Sequence, residues 1–212
     1  MKYLVLIVFN ILVKNSILFG QTIISPIIGI GFSQIENRDL GPGDDYIILT
    51  EKGYSNVSPQ VGLRIKQRIC TNIDIKLTST FSPMHIKATN NSFADIEGIE
   101  FNYFQTSLAV QYIVVPGAYL VGGYSFNHLQ GIRPVVERNG DLYKSKESGL
   151  VFGIGKMFNR FNLEIIYYNG LTEVEIKAFD LYLKPISSFG ITLNYDIKVF
   201  DKPGKKVNCP EF

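Results

Sequence analysis

The chain has no tryptophan, two histidines, two cysteines, three methionines and almost no net charge in its 212 residues. Each shortage removes a class of function. A balance of +2 gives no strong field to gather a polyanion, and no basic helix is present, so no nucleic-acid partner is expected. The few Cys and His residues fall in no zinc spacing, and there is no nucleotide-binding loop, so no metal and no cofactor is expected. An unbroken apolar run of transmembrane-helix length is also missing. Apolar residues fill 3–9, 11–13 and 17–20, but Asn10, Lys14 and Asn15 interrupt them.

That interrupted segment, with Lys2 ahead of it and the small Gly20 near its end, reads as a secretory signal peptide over residues 1–21. No Ala-x-Ala marks its cleavage site, and no cysteine lies there to carry a lipoprotein anchor. Residues 22–200 then form the folded unit, and 201–212 a polar tail.

What the chain does have is 19 Gly, 15 Phe and 12 Tyr, a composition for tightly packed strands with aromatic ends. The stretch 188–200 shows the pattern best. Phe189, Ile191, Leu193, Tyr195, Ile197 and Val199 alternate with Gly190, Thr192, Asn194, Asp196 and Lys198. Period-two alternation of this length gives a strand with one apolar and one polar face. Seven further segments alternate in the same way: 24–34, 57–69, 73–81, 101–114, 118–127, 148–158 and 161–168. The intervals between the eight run long, short, long, short, long, short, long. An up-and-down transmembrane barrel has that rhythm, with short periplasmic turns and longer outer connections. The expected fold is therefore all-β, an eight-stranded antiparallel up-and-down transmembrane β-barrel. Its even strand count puts both ends of the mature chain in the periplasm.

Alternation does not say which face meets lipid, because a soluble lipocalin-like carrier would place its apolar face inward. The polar face decides. It carries Gly29, Gly31, Ser33, Gln105, Ser107, Gln111, Gly153, Gly155 and Asn194, where a water-facing surface would carry more Lys and Glu. Small neutral groups suit a crowded lumen, and Phe81, Tyr112, Phe126, Phe158 and Phe161 suit interfacial girdles. The charges then pointing inward are Arg64, Lys66, Asp74, Lys76, Glu164, Asp196 and Lys198, four basic and three acidic. Buried charges need partners, so a salt-bridged plug is expected rather than an open channel.

Ser188-x-Gly190-x-x-Leu193-x-Tyr195 resembles the C-terminal assembly signal of bacterial outer-membrane barrels, which implies the barrel-assembly machinery as a partner and outer-membrane lipid as the surroundings. The signal segment, the eight-strand pattern and Tyr168-Asn169-Gly170-Leu171-Thr172 extend the likeness: the mature chain resembles the PorT-type outer-membrane barrel family, at the size of OmpA and OmpX barrels. The resemblance implies location and fold, and in one branch a place in a protein-secretion machine. It carries over no catalytic residue.

Other chemistry is sparse. His85 and His128, with Ser82 and Ser125 nearby in sequence, are the materials for a lipid-modifying enzyme; two loop histidines are more often plain polar loop, and no catalytic residue is assigned. Asp39, Asp44 and Asp45 match no established calcium loop. Cys70, in the first short turn, and Cys209, in the tail, fall on the same oxidising side and are expected to pair. A monomer is expected, acting structurally or in recognition through its long outer loops, with an extracellular or periplasmic protein as partner. The residue 135–143 hairpin, turning at Asn139-Gly140, is the candidate partner element. An envelope or secretion component, a lipid-modifying enzyme and a soluble ligand carrier stand as the alternatives.

Overall fold

Alternation of the kind read above leaves each strand one apolar and one polar face, and a closed sheet is the way to give every backbone edge a partner. The computed structural model describes residues 21–34, 47–49, 56–90, 96–133, 145–172, 174–176, 181–183 and 185–200. Eight long strands form the wall: β1 Thr22–Gln34, β2 Asn56–Arg68, β3 Ile73–Asn90, β4 Ile96–Val115, β5 Ala118–Arg133, β6 Ser145–Phe158, β7 Phe161–Gly170 and β8. The last is Ser187–Tyr195, interrupted at Asp196 and resumed as Ile197–Phe200. Each pairs antiparallel with its neighbours in sequence, and β8 closes on β1, with Ile30 opposite Ile191 and Phe32 opposite Phe189. Among the described residues there is no helix.

The register fixes the shape. From Ile24 the ladder steps to Ile65, Leu77, Leu108, Tyr124, Leu150, Asn169 and Ser187, and re-enters β1 at Gln34, 10 residues beyond its start. With a rise of roughly 3.3 Å per residue and strands about 4.8 Å apart, that stagger over eight strands tilts them about 40° to the barrel axis. A barrel of this size has an interior only wide enough for its own side chains.

The apolar face is outside. Ile28, Val61, Leu108, Leu120, Phe126, Phe152, Ile154 and Leu193 are all exposed, in a band that circles the wall. The interior takes the polar face, including Ser25, Arg64, Lys76, Ser107, Ser125, Glu164 and Asn194, all buried. Glycine makes room there: a Cβ on Gly155 would collide with the Tyr119 ring, and one on Gly149 with the Tyr168 ring. The short connections are tight turns. Gly117 after Pro116 has φ 85° and Asn159 has φ 57°, the left-handed backbone that Gly and Asn tolerate best.

Two expectations about the connections are corrected. Residues 82–100 were expected as an outer loop, yet β3 runs on to Asn90 and β4 begins at Ile96. Beyond the apolar band neither face is selected for lipid, so the alternation stops while the backbone ladder continues. β5 likewise reaches Arg133 and β6 starts at Ser145, the extension beyond the barrel that a hairpin at 135–143 implies. Short strands also lie inside two segments read as long connections: Ile47–Leu49 pairs with the end of β3, and Val174–Ile176 pairs with Leu181–Leu183. The 1–20 leader, Asp39, Asp44 and Asp45, the 135–143 hairpin and the tail with Cys209 lie outside the described residues.

Candidate functional site

The chemistry of this molecule is concentrated in the lumen, in two polar layers. The layer nearer the short turns is ionic. Strands β2 and β3 project bases inward because every second residue faces in, which brings Arg64, Lys66 and Lys76 to one wall. Glu164 projects from β7 across the lumen and receives both the Arg64 guanidinium and the Lys76 ammonium. Arg64 Nε also donates to Thr78 Oγ1 at 3.2 Å. The Lys76 ammonium lies 5.3 Å from the centroid of the Tyr119 ring, whose negative face favours a cation.

Closer to the turns, Lys66 Nζ meets Asp196 Oδ2 at 2.7 Å, and Ser25 Oγ donates to Asp196 Oδ1 at 2.6 Å. Asp74 is fully buried, held by Arg68 Nε at 2.9 Å and by Gln111 Nε2 at 3.2 Å. Every carboxylate of this layer therefore accepts from two side chains. Of the seven inward charges read from the sequence, Arg64, Lys66, Asp74, Lys76, Glu164 and Asp196 lie in these pairs. Lys198 is exposed instead, because the parity that turns it inward acts beyond the end of the lumen. Arg68 joins the set; its cross-strand pairing with Asp74 was the available signal.

The second layer, toward the long connections, is neutral apart from one acid, and sequence reasoning missed it. Tyr103 Oη donates to Glu147 Oε2 at 2.8 Å. Asn127 Nδ2 donates to the Tyr103 hydroxyl, and Ser125 Oγ to Asn127 Oδ1 at 2.7 Å. The other oxygen of Glu147 accepts the Ile186 backbone N–H at 2.8 Å, and Ile186 O accepts from Gly170 N at 2.9 Å. Glu147 thereby anchors the backbone just before β8, where Ile186 is buried. This accounts for Gly170, where a Cβ would strike both the Glu147 carboxylate and the Ile186 backbone. Glu147 stands at the edge of a segment that reads as loop, so nothing local marks it as inward.

Between the layers lies a cavity of about 50 Å³ lined by Gln60, Thr78, Thr80, Gln105, Ser107 and Thr192. At roughly 10–15 Å³ per water it has room for a few molecules. It is closed on the turn side by the Glu164 cluster.

The remaining sequence candidates do not converge. Ser125 is interior and bonded to Asn127, whereas His128, three residues on, belongs to the opposite face of the same strand. Ser82 is interior too, sharing a hydrogen bond with Ser58 at 2.8 Å. Cys70 is buried in the β2–β3 turn and is disulfide-bonded. Ser188, Gly190, Leu193 and Tyr195 lie along β8, where Gly190 pairs with Gly31 across the closing seam.

No family model and no curated protein sequence matches the chain. Solved structures do. OprG from Pseudomonas aeruginosa aligns over 84% of this chain and 96% of its own, at 10% identity and a TM-score of 0.54. The fold is that of an outer-membrane β-barrel. Ail of Yersinia pestis, solved with the heparin analogue sucrose octasulfate, aligns over 85% of this chain and 100% of its own, at 12% identity and a TM-score of 0.49. Outer membrane protein W of E. coli aligns over 84% and 98%, at 11% identity and a TM-score of 0.44. At such identities the shared property is the fold.

Proposed function

We propose that this protein resides in the bacterial outer membrane as a closed, non-enzymatic barrel that works through its long-connection end. The observation that carries the reading is the pairing of an apolar exterior with an ion-paired interior. At the level of Glu164 the lumen is occupied by its own ion pairs. What remains for function is the surface beyond the apolar band. There β3 and β4 extend as a ribbon, with Ile47–Leu49 added to its edge, on a scaffold rigid enough to present it. A partner protein recognised by this end is the role that fits, with both termini at the opposite, periplasmic end. Membership of the PorT-type group belongs to the same proposal, resting on the Tyr168 to Thr172 stretch and the β8 pattern.

The test is gel mobility of detergent-extracted protein from fractionated envelopes, boiled against unboiled. A faster unboiled band in the outer-membrane fraction is expected. A soluble protein without a mobility shift would refute the membrane assignment.

A further inference from the structure

The cavity between the two polar layers has a one-sided lining. Arg64 and Lys76 contribute two cations to it, and no carboxylate among the described residues lines it. The rest of its polar wall is amide and hydroxyl, with Gln60, Thr78, Thr80 and Gln105 all able to donate. Ile27, Val121 and Val151 add apolar surface.

The ion pairs on the turn side of this cavity do not cancel. Lys66 is matched by Asp196 and Arg68 by Asp74. Arg64 and Lys76 share the single carboxylate of Glu164. Among the described residues that leaves one positive charge in excess, on two side chains that are both buried. A buried charge without a counter-charge is strongly destabilising. The remaining interior acid, Glu147, stands in the other layer, where Tyr103, Asn127 and the Ile186 N–H donate to it. Donors are left over as well. Arg64 spends Nε on Thr78 and Nη2 on Glu164, which leaves Nη1. Lys76 has three N–H groups and gives one to Glu164. Thr192, on the cavity wall, has a buried hydroxyl with no hydrogen-bond partner.

We propose that this cavity is a binding site for one small inorganic anion of halide size, seated between Arg64 and Lys76. The anion cancels the excess charge and accepts from the donors that the ion pairs leave over. A volume of about 50 Å³ admits a halide together with a water molecule or two. One negative charge, not two, balances the cluster, which favours a halide over a divalent oxyanion. The site needs only the closed barrel, so it is independent of where the protein resides and of what its long-connection end recognises.

The test uses the full chain, purified in detergent and desalted into sodium gluconate, whose anion is too large for the cavity. Sodium bromide then replaces gluconate at constant ionic strength. Crystals grown in bromide, measured at the bromine absorption edge, locate the ion; the rise of the urea midpoint in circular dichroism gives its affinity. Wild type is expected to show one bromide in the cavity and a midpoint that climbs with bromide. Lys76→Met keeps the Arg64–Glu164 pair but removes the excess charge. Its affinity should fall about a hundredfold, the effect of one unit charge about 6 Å away at an effective dielectric constant of about 20. Glu164→Gln should do the opposite and bind bromide more tightly than wild type, whereas a cluster with a purely structural role would gain nothing from bromide in any variant. Thr192→Val keeps every charge and should weaken binding about tenfold, the scale of one hydrogen bond to a charged group. Bromide found only on the surface, a wild-type midpoint indifferent to the exchange, or an equal response from wild type and Lys76→Met would overturn the proposal. A cluster balanced by a neutral Lys76 amine would give the first two of these results.

Discussion

Replacing Glu164 by alanine would leave the Arg64 guanidinium and the Lys76 ammonium facing each other inside the wall with no counter-charge. Removing one partner of a buried ion pair costs about 3–5 kcal/mol, mostly because the survivor is stranded. The expected result for Glu164→Ala is a loss of that size in the urea midpoint at which the unboiled band disappears. Adding Lys76→Met to the same protein should recover part of it, since one stranded charge is then gone. A midpoint unmoved by Glu164→Ala would mean that the cluster is hydrated. Arg68 and Asp74 follow different arithmetic. Arg68 is about a third exposed at the rim, so its pair lies closer to the small values of surface bridges.

At the scale of elements, the membrane wall and its extension separate cleanly. His85 pairs with Glu100 at the base of the β3–β4 ribbon, and the ladder below continues unbroken from Met84–Phe101 to Ile73–Tyr112. Joining His85 directly to Glu100 would remove the ribbon and leave that ladder intact. Such a variant is expected to keep the unboiled mobility shift while losing whatever partner the long-connection end recognises, measured by co-purification from envelope extracts. Unchanged co-purification would move the recognition role to another connection, with the residue 135–143 hairpin next. The outward positions of the strands were legible in the sequence because lipid imposes apolar residues on every second position. The ribbon was not, because in water neither of its faces carries that demand.

For the whole molecule, closure and occlusion lead to one further expectation. Reconstituted in a planar bilayer, the protein should show no steady conductance, because the Glu164 cluster crosses the lumen. A stable ohmic step at neutral pH would show that the two layers do not seal the barrel and would replace recognition with transport as the leading function. The stagger of the sheet bears on this. At eight strands the interior is filled by side chains of ordinary size, and the glycines opposite Tyr119 and Tyr168 are what let two large rings fit inside it.

The sequence by itself determined which residues alternate, how many strands form the barrel wall, which connections are short, and that small neutral groups belong on the face away from lipid. All of these follow from local period and from the solvent that each face meets. Tertiary structure alone decided who pairs with whom. That Glu164 reaches Arg64 and Lys76 depends on a closure of the sheet that brings β7 opposite β2 and β3, 100 and 88 residues away in the chain. That Glu147 is a buried anchor depends on the start of β8 lying where it offers the Ile186 N–H, 39 residues away in the chain. Period belongs to one strand and can be read along it, whereas partnership is set by register and closure, which exist only once the barrel is complete.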